Sequence, residues 1–132
     1  IGVIAAAARK GATVIAADID NSKLANAHKF GAEHTINSAN EDVIEAVRAL
    51  TSGEGVAVAI EAVGLPNTFR LAVEAVSFAG RVVYIGYAKS EVMYDSTAFV
   101  LKELDIMGSR NALRVFPAVI EMIEKRTAAR AA

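Results

Sequence analysis

Strand-like and helix-like segments alternate along the whole chain, and this alternation restricts the fold more than any other feature of the sequence. The strand-like segments are short and rich in small and branched apolar residues, whereas the segments between them have the spacing of amphipathic helices. The predicted strands are residues 13–18, 33–37, 56–64, 81–88 and 102–109. The predicted helices open at Gly2 and then span 21–32, with Ser22 or Asn21 as N-cap, 40–55, 65–80 and 114–126. Strands that alternate with helices build βαβ units, so we predict an α/β fold with a mostly parallel sheet.

Size, composition and charge narrow the class of protein further. The 132 residues fit one domain, and a hydrophobic content of 54% without any tryptophan predicts a core of small aliphatic side chains. The net charge is -1 and the basic residues are scattered, which argues against nucleic acid or a membrane as partner. No apolar run approaches the ~20 residues that span a bilayer, so we expect a soluble, cytoplasmic protein.

The sequence contains few residues that could bind a metal ion. The chain has no cysteine and two histidines, fewer than an all-histidine catalytic zinc site requires. His34 is expected to lie exposed before a strand, without a ligand role. Glu41, Asp42 and Glu45 are expected to stabilise a helix N-terminus rather than to form an acid-base pair. We therefore predict that any metal would need ligands from outside this chain.

The opening stretch, IGVIAAAARKGATVIAADID, contains the elements of the second half of a dinucleotide-binding motif. Gly2 opens an alanine-rich helix, and Asp18 ends the following strand, where an acidic residue can accept hydrogen bonds from ribose hydroxyls. The same spacing is also compatible with a purely structural interpretation, in which Gly2 belongs to a frayed terminus and Asp18 is a turn residue or a helix N-cap. Repetition favours a ligand site, because three strands end at a small or acidic residue, Asp18, Gly64 and Gly86. Open α/β sheets bind ligands at such strand ends, where glycines let the backbone approach a flat ring closely.

The order of several segments is similar to that in the cofactor domain of medium-chain zinc-type alcohol and polyol dehydrogenases. The segments are GATVIAADIDNSKLANAHKFGAEHTIN, VAVAIEAVG, GRVVYIGY and KELDIMGS, and the ending KELDIMGSRNALRVFPAVIEMI most resembles the sorbitol, galactitol-phosphate and uronate-type branch. This resemblance implies a Rossmann-type, doubly wound sheet with helices on both faces. It also implies hydride transfer between a secondary alcohol, such as a small polyol or sugar acid, and NAD, in a homo-oligomer whose complete form carries zinc.

The resemblance assigns cofactor-binding roles to particular residues. Asp18 corresponds to the acceptor of the adenosine ribose hydroxyls, Lys23 lies beside the same ribose, and an aspartate there favours NAD over NADP. Arg110 follows the last strand near the nicotinamide, although a solvated surface arginine is an equally good interpretation. The full set of expected cofactor-binding residues is Ile1, Gly2, Asp18, Ile19, Lys23, Ala62, Val63, Gly64, Ile85, Gly86, Tyr87, Ser109 and Arg110.

The sequence also departs from the family pattern. We expect residues 1–132 to form one incomplete NAD(P)-binding domain that lacks its first central strand, the first two glycines of the fingerprint and the catalytic zinc domain. No catalytic residue is identified, and the chain alone is expected to be inactive. The absent strand would lie between residues 13–17 and 56–61, so an isolated monomer would have to leave two inner edges unpaired or bring these two strands together. We expect instead a strand added by another chain, or a strongly destabilised, aggregation-prone monomer. Alternatives are a non-enzymatic nucleotide-binding or interaction module and, more weakly, a methyltransferase.

Overall fold

The computed structural model describes residues 1–131, and in this part of the chain helices and strands alternate as the sequence predicts. A helix lies between each pair of consecutive strands, which gives the βαβ connectivity of a parallel α/β fold. The elements are α1 Gly2–Arg9, β1 Ile15–Asp18, α2 Asn21–Lys29, β2 His34–Asn37, α3 Val43–Leu50, β3 Val56–Glu61, α4 Pro66–Ala75, β4 Val76–Tyr84, α5 Thr97–Leu101, β5 Asp105–Gly108 and α6 Phe116–Ala131.

All strand pairs are parallel, but the strands form two sheets rather than one. β1 pairs with β2, while β4 lies between β3 and β5 in a three-stranded sheet. Within residues 1–131, β1 and β3 are not hydrogen-bonded to each other, so each keeps one open edge. This arrangement agrees with a doubly wound sheet that lacks a central strand between β1 and β3.

Helix ends follow local side-chain chemistry, with one correction at α2. The sequence predicts Asn21 or Ser22 as its N-cap, but the N-cap is Asp20, whose Oδ1 accepts a hydrogen bond from the Ser22 amide at 2.7 Å. Gly31, with φ of 105°, follows the helix in the left-handed conformation, as expected for a glycine after a helix C-terminus. α4 begins at Pro66, where a proline loses no intrahelical hydrogen bond.

The predicted boundary between α4 and β4 is wrong. The helix was expected to extend to Gly80, but it ends at Ala75, and β4 begins at once with Val76, which pairs with Val56. The Lys102 ammonium group donates to the carbonyl oxygens of Glu74 and Val76, both at 2.9 Å, and so satisfies acceptors at this junction. Because Lys102 is distant in sequence, the local pattern did not reveal where the helix stops.

Buried apolar residues lie on both sheets, and the cluster that bears on the site lies around the three-stranded sheet. Val82 in the central strand has no exposed surface, and Val76 is 1% exposed. Ala59, Ala72 and Val73 complete the buried cluster that packs α4 on β3 and β4. This packing fixes the strands whose carboxyl ends form the site described below. Among residues 1–131, no helix is both long and apolar enough to cross a bilayer.

Candidate functional site

The carboxyl ends of β3, β4 and β5 are joined by backbone hydrogen bonds at one edge of the sheet. The Ile85 amide donates to the Glu61 carbonyl oxygen at 2.8 Å, and the Ser109 amide donates to the Tyr84 carbonyl oxygen at 2.8 Å. These contacts bring residues 62–64, 85–87 and 109–110 together, as the sequence predicts for parallel strand ends. We call these residues the β3–β5 rim.

Two glycines allow the turns after β3 and β4 to touch. Gly64 has φ of 88°, and a Cβ at this position would lie 2.5 Å from the Tyr87 carbonyl oxygen. A Cβ on Gly86 would lie 2.5 Å from the Gly64 amide nitrogen. We expected these glycines to let the backbone approach a flat ring, but here they also let two backbone segments approach each other.

The outer surface of the β3–β5 rim is apolar with one cation. The Val63 and Tyr87 side chains are both exposed, and the Arg110 guanidinium lies over the Tyr87 ring, with its carbon 5.6 Å from the ring centroid. This is a cation–π distance, so Arg110 is both exposed and held by a neighbour. The rim thus offers apolar contact beside a positive charge.

A second group of predicted residues lies at the end of β1. Asp18 accepts a hydrogen bond from the Asp20 amide at 3.0 Å, and its carboxylate lies 3.9 Å from the Lys23 ammonium group. Its side chain remains 29% exposed, and the neighbouring Ile19 is exposed as well. Hydrogen bonds from Ser22 lower the pKa of Asp20, which keeps a second carboxylate ionised next to Asp18. Asp18 therefore makes a turn hydrogen bond and still presents a carboxylate to solvent.

The predicted residues at the start of α1 show fewer contacts. The first N–H groups of a helix have no intrahelical acceptor, and Ile1 provides no side-chain cap for them here. A Cβ on Gly2 would meet nothing within 4 Å among the described residues, so close helix–strand packing does not require a glycine there. β1 belongs to a different sheet from the β3–β5 rim, and the structure shows no direct pairing between the two groups of predicted residues in the part it describes.

Comparison with known proteins decides the family. A family model described as zinc-binding dehydrogenase matches residues 1–125. The chain belongs to the zinc-binding dehydrogenase family. The resemblance stated from the sequence is thereby confirmed for nearly the whole chain.

Relatives within this family include enzymes that act on alcohols. The chain is 37% identical over 126 residues to the erythritol/L-threitol dehydrogenase of Mycolicibacterium smegmatis, a match that covers 94% of this chain and 35% of that protein. The structure resembles that of 2R,3R-butanediol dehydrogenase from Bacillus subtilis with a TM-score of 0.85 and 27% identity, covering 93% of this chain and 35% of the other. This likeness confirms the Rossmann-type fold. The chain thus spans about a third of these relatives.

A third comparison concerns the cofactor. A zinc-binding dehydrogenase from Sinorhizobium meliloti 1021, described as putative and bound to NADP, matches with a TM-score of 0.73 and 27% identity. The match covers 78% of this chain and 31% of the other protein. A nicotinamide dinucleotide is therefore the ligand recorded for a structure of this fold and family.

The zinc of this zinc-binding family does not fit the residues of this chain. Among residues 1–131, no group of three or more histidine, aspartate or glutamate side chains is placed to hold a metal ion. Structural and catalytic zinc sites generally need at least three protein ligands. We assign no zinc-dependent step to the described residues.

One residue at the site was missed by sequence reasoning. Glu61 ends β3, and its side chain is only 4% exposed, although it is acidic. The signal was present in VAVAIEAVG, because a charged residue inside an otherwise apolar strand needs hydrogen-bond donors if it is buried. Val63 and Gly64, already predicted as site residues, supply two of these donors.

Proposed function

We propose that this chain binds the dinucleotide for a zinc-type alcohol or polyol dehydrogenase that transfers a hydride between a secondary alcohol and NAD. The family match over residues 1–125 and the relatives named for erythritol, threitol and butanediol support the reaction class. The observation that carries the proposal is the partly exposed Asp18 carboxylate at the carboxyl end of β1, with Lys23 beside it.

The β1 end suits the adenosine half of the cofactor. The Asp18 carboxylate can accept hydrogen bonds from both ribose hydroxyls, and its charge disfavours a 2′-phosphate at the same place. Ile19 offers exposed apolar surface next to it, and Ile1 and Gly2 lie at the helix end whose free N–H groups favour phosphate. These features support NAD rather than NADP as the preferred cofactor of this chain.

The β3–β5 rim suits the nicotinamide half. Ala62, Val63 and Gly64 follow one strand, Ile85, Gly86 and Tyr87 follow the next, and Ser109 and Arg110 follow the third. The exposed apolar surface of this rim can exclude water from one face of a flat ring. When bound, NAD supplies the carbon that accepts the hydride; the residues of this chain bind and orient it.

Other parts of the family's activity lie beyond what these residues supply. We infer that the zinc and its ligands come from outside residues 1–131 and that this chain alone does not catalyse turnover. We also infer that the protein is cytoplasmic. As an isolated chain, residues 1–131 should self-associate, because the open edges of β1 and β3 expose backbone groups that favour strand pairing.

Calorimetric titration of NAD and NADP into wild type, Asp18→Asn and Asp18→Ala tests the proposed adenosine site. We expect wild type to prefer NAD, and Asp18→Ala to weaken NAD binding by roughly tenfold, since a charged acceptor is lost. Asp18→Asn should reduce the discrimination against NADP, because the repulsive charge is removed. Glu54→Gln, an exposed acid between α3 and β3, is the matched control and should change neither affinity. Tighter wild-type binding of NADP than NAD would exclude the assignment of Asp18.

A further inference from the structure

Glu61 is the one charged side chain buried in the part of the chain whose side chains are described. It is the last residue of β3, and its β4 partner in the register is Tyr84. A carboxylate withdrawn from water is unfavourable unless hydrogen-bond donors replace the lost solvent. The hydrogen-bond partners of its two carboxylate oxygens therefore indicate what role the buried charge has.

The Oε1 atom of Glu61 accepts three hydrogen bonds. Oε1 accepts hydrogen bonds from the amides of Val63 and Gly64, both at 2.8 Å, and from the Thr68 hydroxyl at 2.7 Å. The Thr68 hydroxyl oxygen also lies 3.3 Å from the Leu65 amide nitrogen, which donates to it. A single carboxylate oxygen thus holds the turn after β3 onto the first turn of α4, with charge-assisted hydrogen bonds.

The other oxygen has no such partner. Oε2 is buried and makes no hydrogen bond with any described residue. It lies against Gly86, where an added Cβ would clash with it. Meanwhile, the backbone carbonyl of Glu61 accepts hydrogen bonds from the amides of Ile85 and Gly86. Glu61 therefore contacts the turn after β3 through its side chain and the turn after β4 through both its backbone and Oε2.

We propose that Glu61 is a positioning residue for the nicotinamide half of the cofactor, an inference that rests on the proposed function. Its side chain sets the turn at Val63 and Gly64, and its contacts with Gly86 set the distance to the second turn. A purely structural residue at this place could be apolar, which would avoid burying an unpaired oxygen. A carboxylate is useful where two backbone turns must be held in one geometry beneath a ligand.

The test compares Glu61→Leu, which has no acceptor, with Glu61→Gln, which keeps one acceptor oxygen. A second pair, Thr68→Val and Thr68→Ser, removes and restores one donor, so the test remains decisive if Glu61→Leu does not fold. Glu45→Gln on α3 is the exposed acidic control. Two properties are measured for each variant: amide hydrogen exchange at Val63 and Gly64 without ligand, and the affinities for NADH and ADP-ribose.

ADP-ribose lacks the nicotinamide, so it separates local positioning from general loss of structure. We expect Glu61→Leu and Thr68→Val to accelerate exchange at these amides and to weaken NADH binding by roughly tenfold, with ADP-ribose affinity within about twofold of wild type. Glu61→Gln and Thr68→Ser should restore most of both properties. Equal losses for NADH and ADP-ribose, or unchanged exchange, would overturn the proposal. If wild type binds neither ligand, the proposed function fails, and exchange alone decides whether Glu61 holds the two turns.

Discussion

Tyr84 connects the candidate site to the core. Its hydroxyl accepts a hydrogen bond from the Tyr94 hydroxyl at 2.9 Å, and its ring stacks on Phe69 with the ring centroids 4.5 Å apart. Partial burial, the hydrogen bond to Tyr94 and the nearby charge of Glu61 all raise the pKa of Tyr84 above the ordinary value of 10.0. The hydroxyl therefore stays protonated in the folded chain at a pH where an exposed tyrosine ionises.

This shift predicts a pH dependence of stability. In the unfolded chain Tyr84 loses its proton near pH 10.0, whereas the folded chain retains it. The folded state then binds more protons, so its free energy of unfolding falls as pH rises above 10.0. We expect Tyr84→Phe to flatten this fall, as measured by thermal unfolding at a series of alkaline pH values. Tyr87→Phe, which changes an exposed tyrosine, is the control. An identical alkaline slope in wild type and Tyr84→Phe would contradict the prediction.

Glu61 illustrates what single residues of a sequence reveal. Its position in an apolar strand was not recognised as significant from the sequence, because its burial depends on how the chain folds back after Gly64 to bring Thr68 into contact. Asp18 and Lys23 could be placed from the motif alone, because the strand end and the following helix turn are local features. Their cofactor roles remain predictions.

At the scale of elements, the order of strands and helices was predictable, and one boundary was not. Strands with continuous apolar runs and helices with glycine or proline at their ends carry local signals. The junction at Val76 depends instead on pairing with Val56 and on Lys102. A segment that can propagate as a helix was converted to a strand by contacts that are distant in sequence.

The open edges of β1 and β3 predict association of the chain. β3 also exposes Val58 and Ile60, at 46% and 41%. We expect the mass measured by sedimentation to exceed that of a 13.8 kDa monomer and to rise with concentration, because unpaired strands add partners. Val58→Lys combined with Ile60→Lys should reduce this association, since charged side chains block strand addition.

The matched control for this experiment lies away from the edge. Val100→Lys on α5 places one lysine at an exposed valine and should leave the mass of the assembly unchanged. A monomer at all concentrations, in wild type as in the double variant, would show that the open edges do not recruit another strand.

At the scale of the whole molecule, the chain corresponds to one part of its longer relatives. It covers 35% of the erythritol/L-threitol dehydrogenase it resembles, and its described residues contain no group of zinc ligands. The fold class and family followed from segment order, since that order extends over nearly the whole sequence. Comparison of this order with the complete family pattern located the gap between β1 and β3, whereas the division into two sheets, rather than closure of the gap, is seen only in the structure.

We expect the chain alone, supplied with zinc, NAD and a diol such as 2R,3R-butanediol, to produce no NADH, because three protein ligands for zinc are not available. Absorbance of NADH measures the rate, and equilibrium dialysis measures bound zinc. The Bacillus subtilis butanediol dehydrogenase is the positive control. Turnover that persists through purification and disappears in Asp18→Ala would show that this chain is itself an enzyme.

The positions of the aromatic residues determine which unfolding events can be followed by intrinsic fluorescence. There is no tryptophan, and all three tyrosines, at positions 84, 87 and 94, follow β3 in the sequence. The ring cluster of Tyr84, Tyr94, Phe69 and Phe99 likewise belongs to the three-stranded sheet and its helices. Melting confined to β1, β2 and α2 would leave tyrosine fluorescence unchanged. A fluorescence melt would therefore record one sheet only, and backbone circular dichroism is needed to see the other.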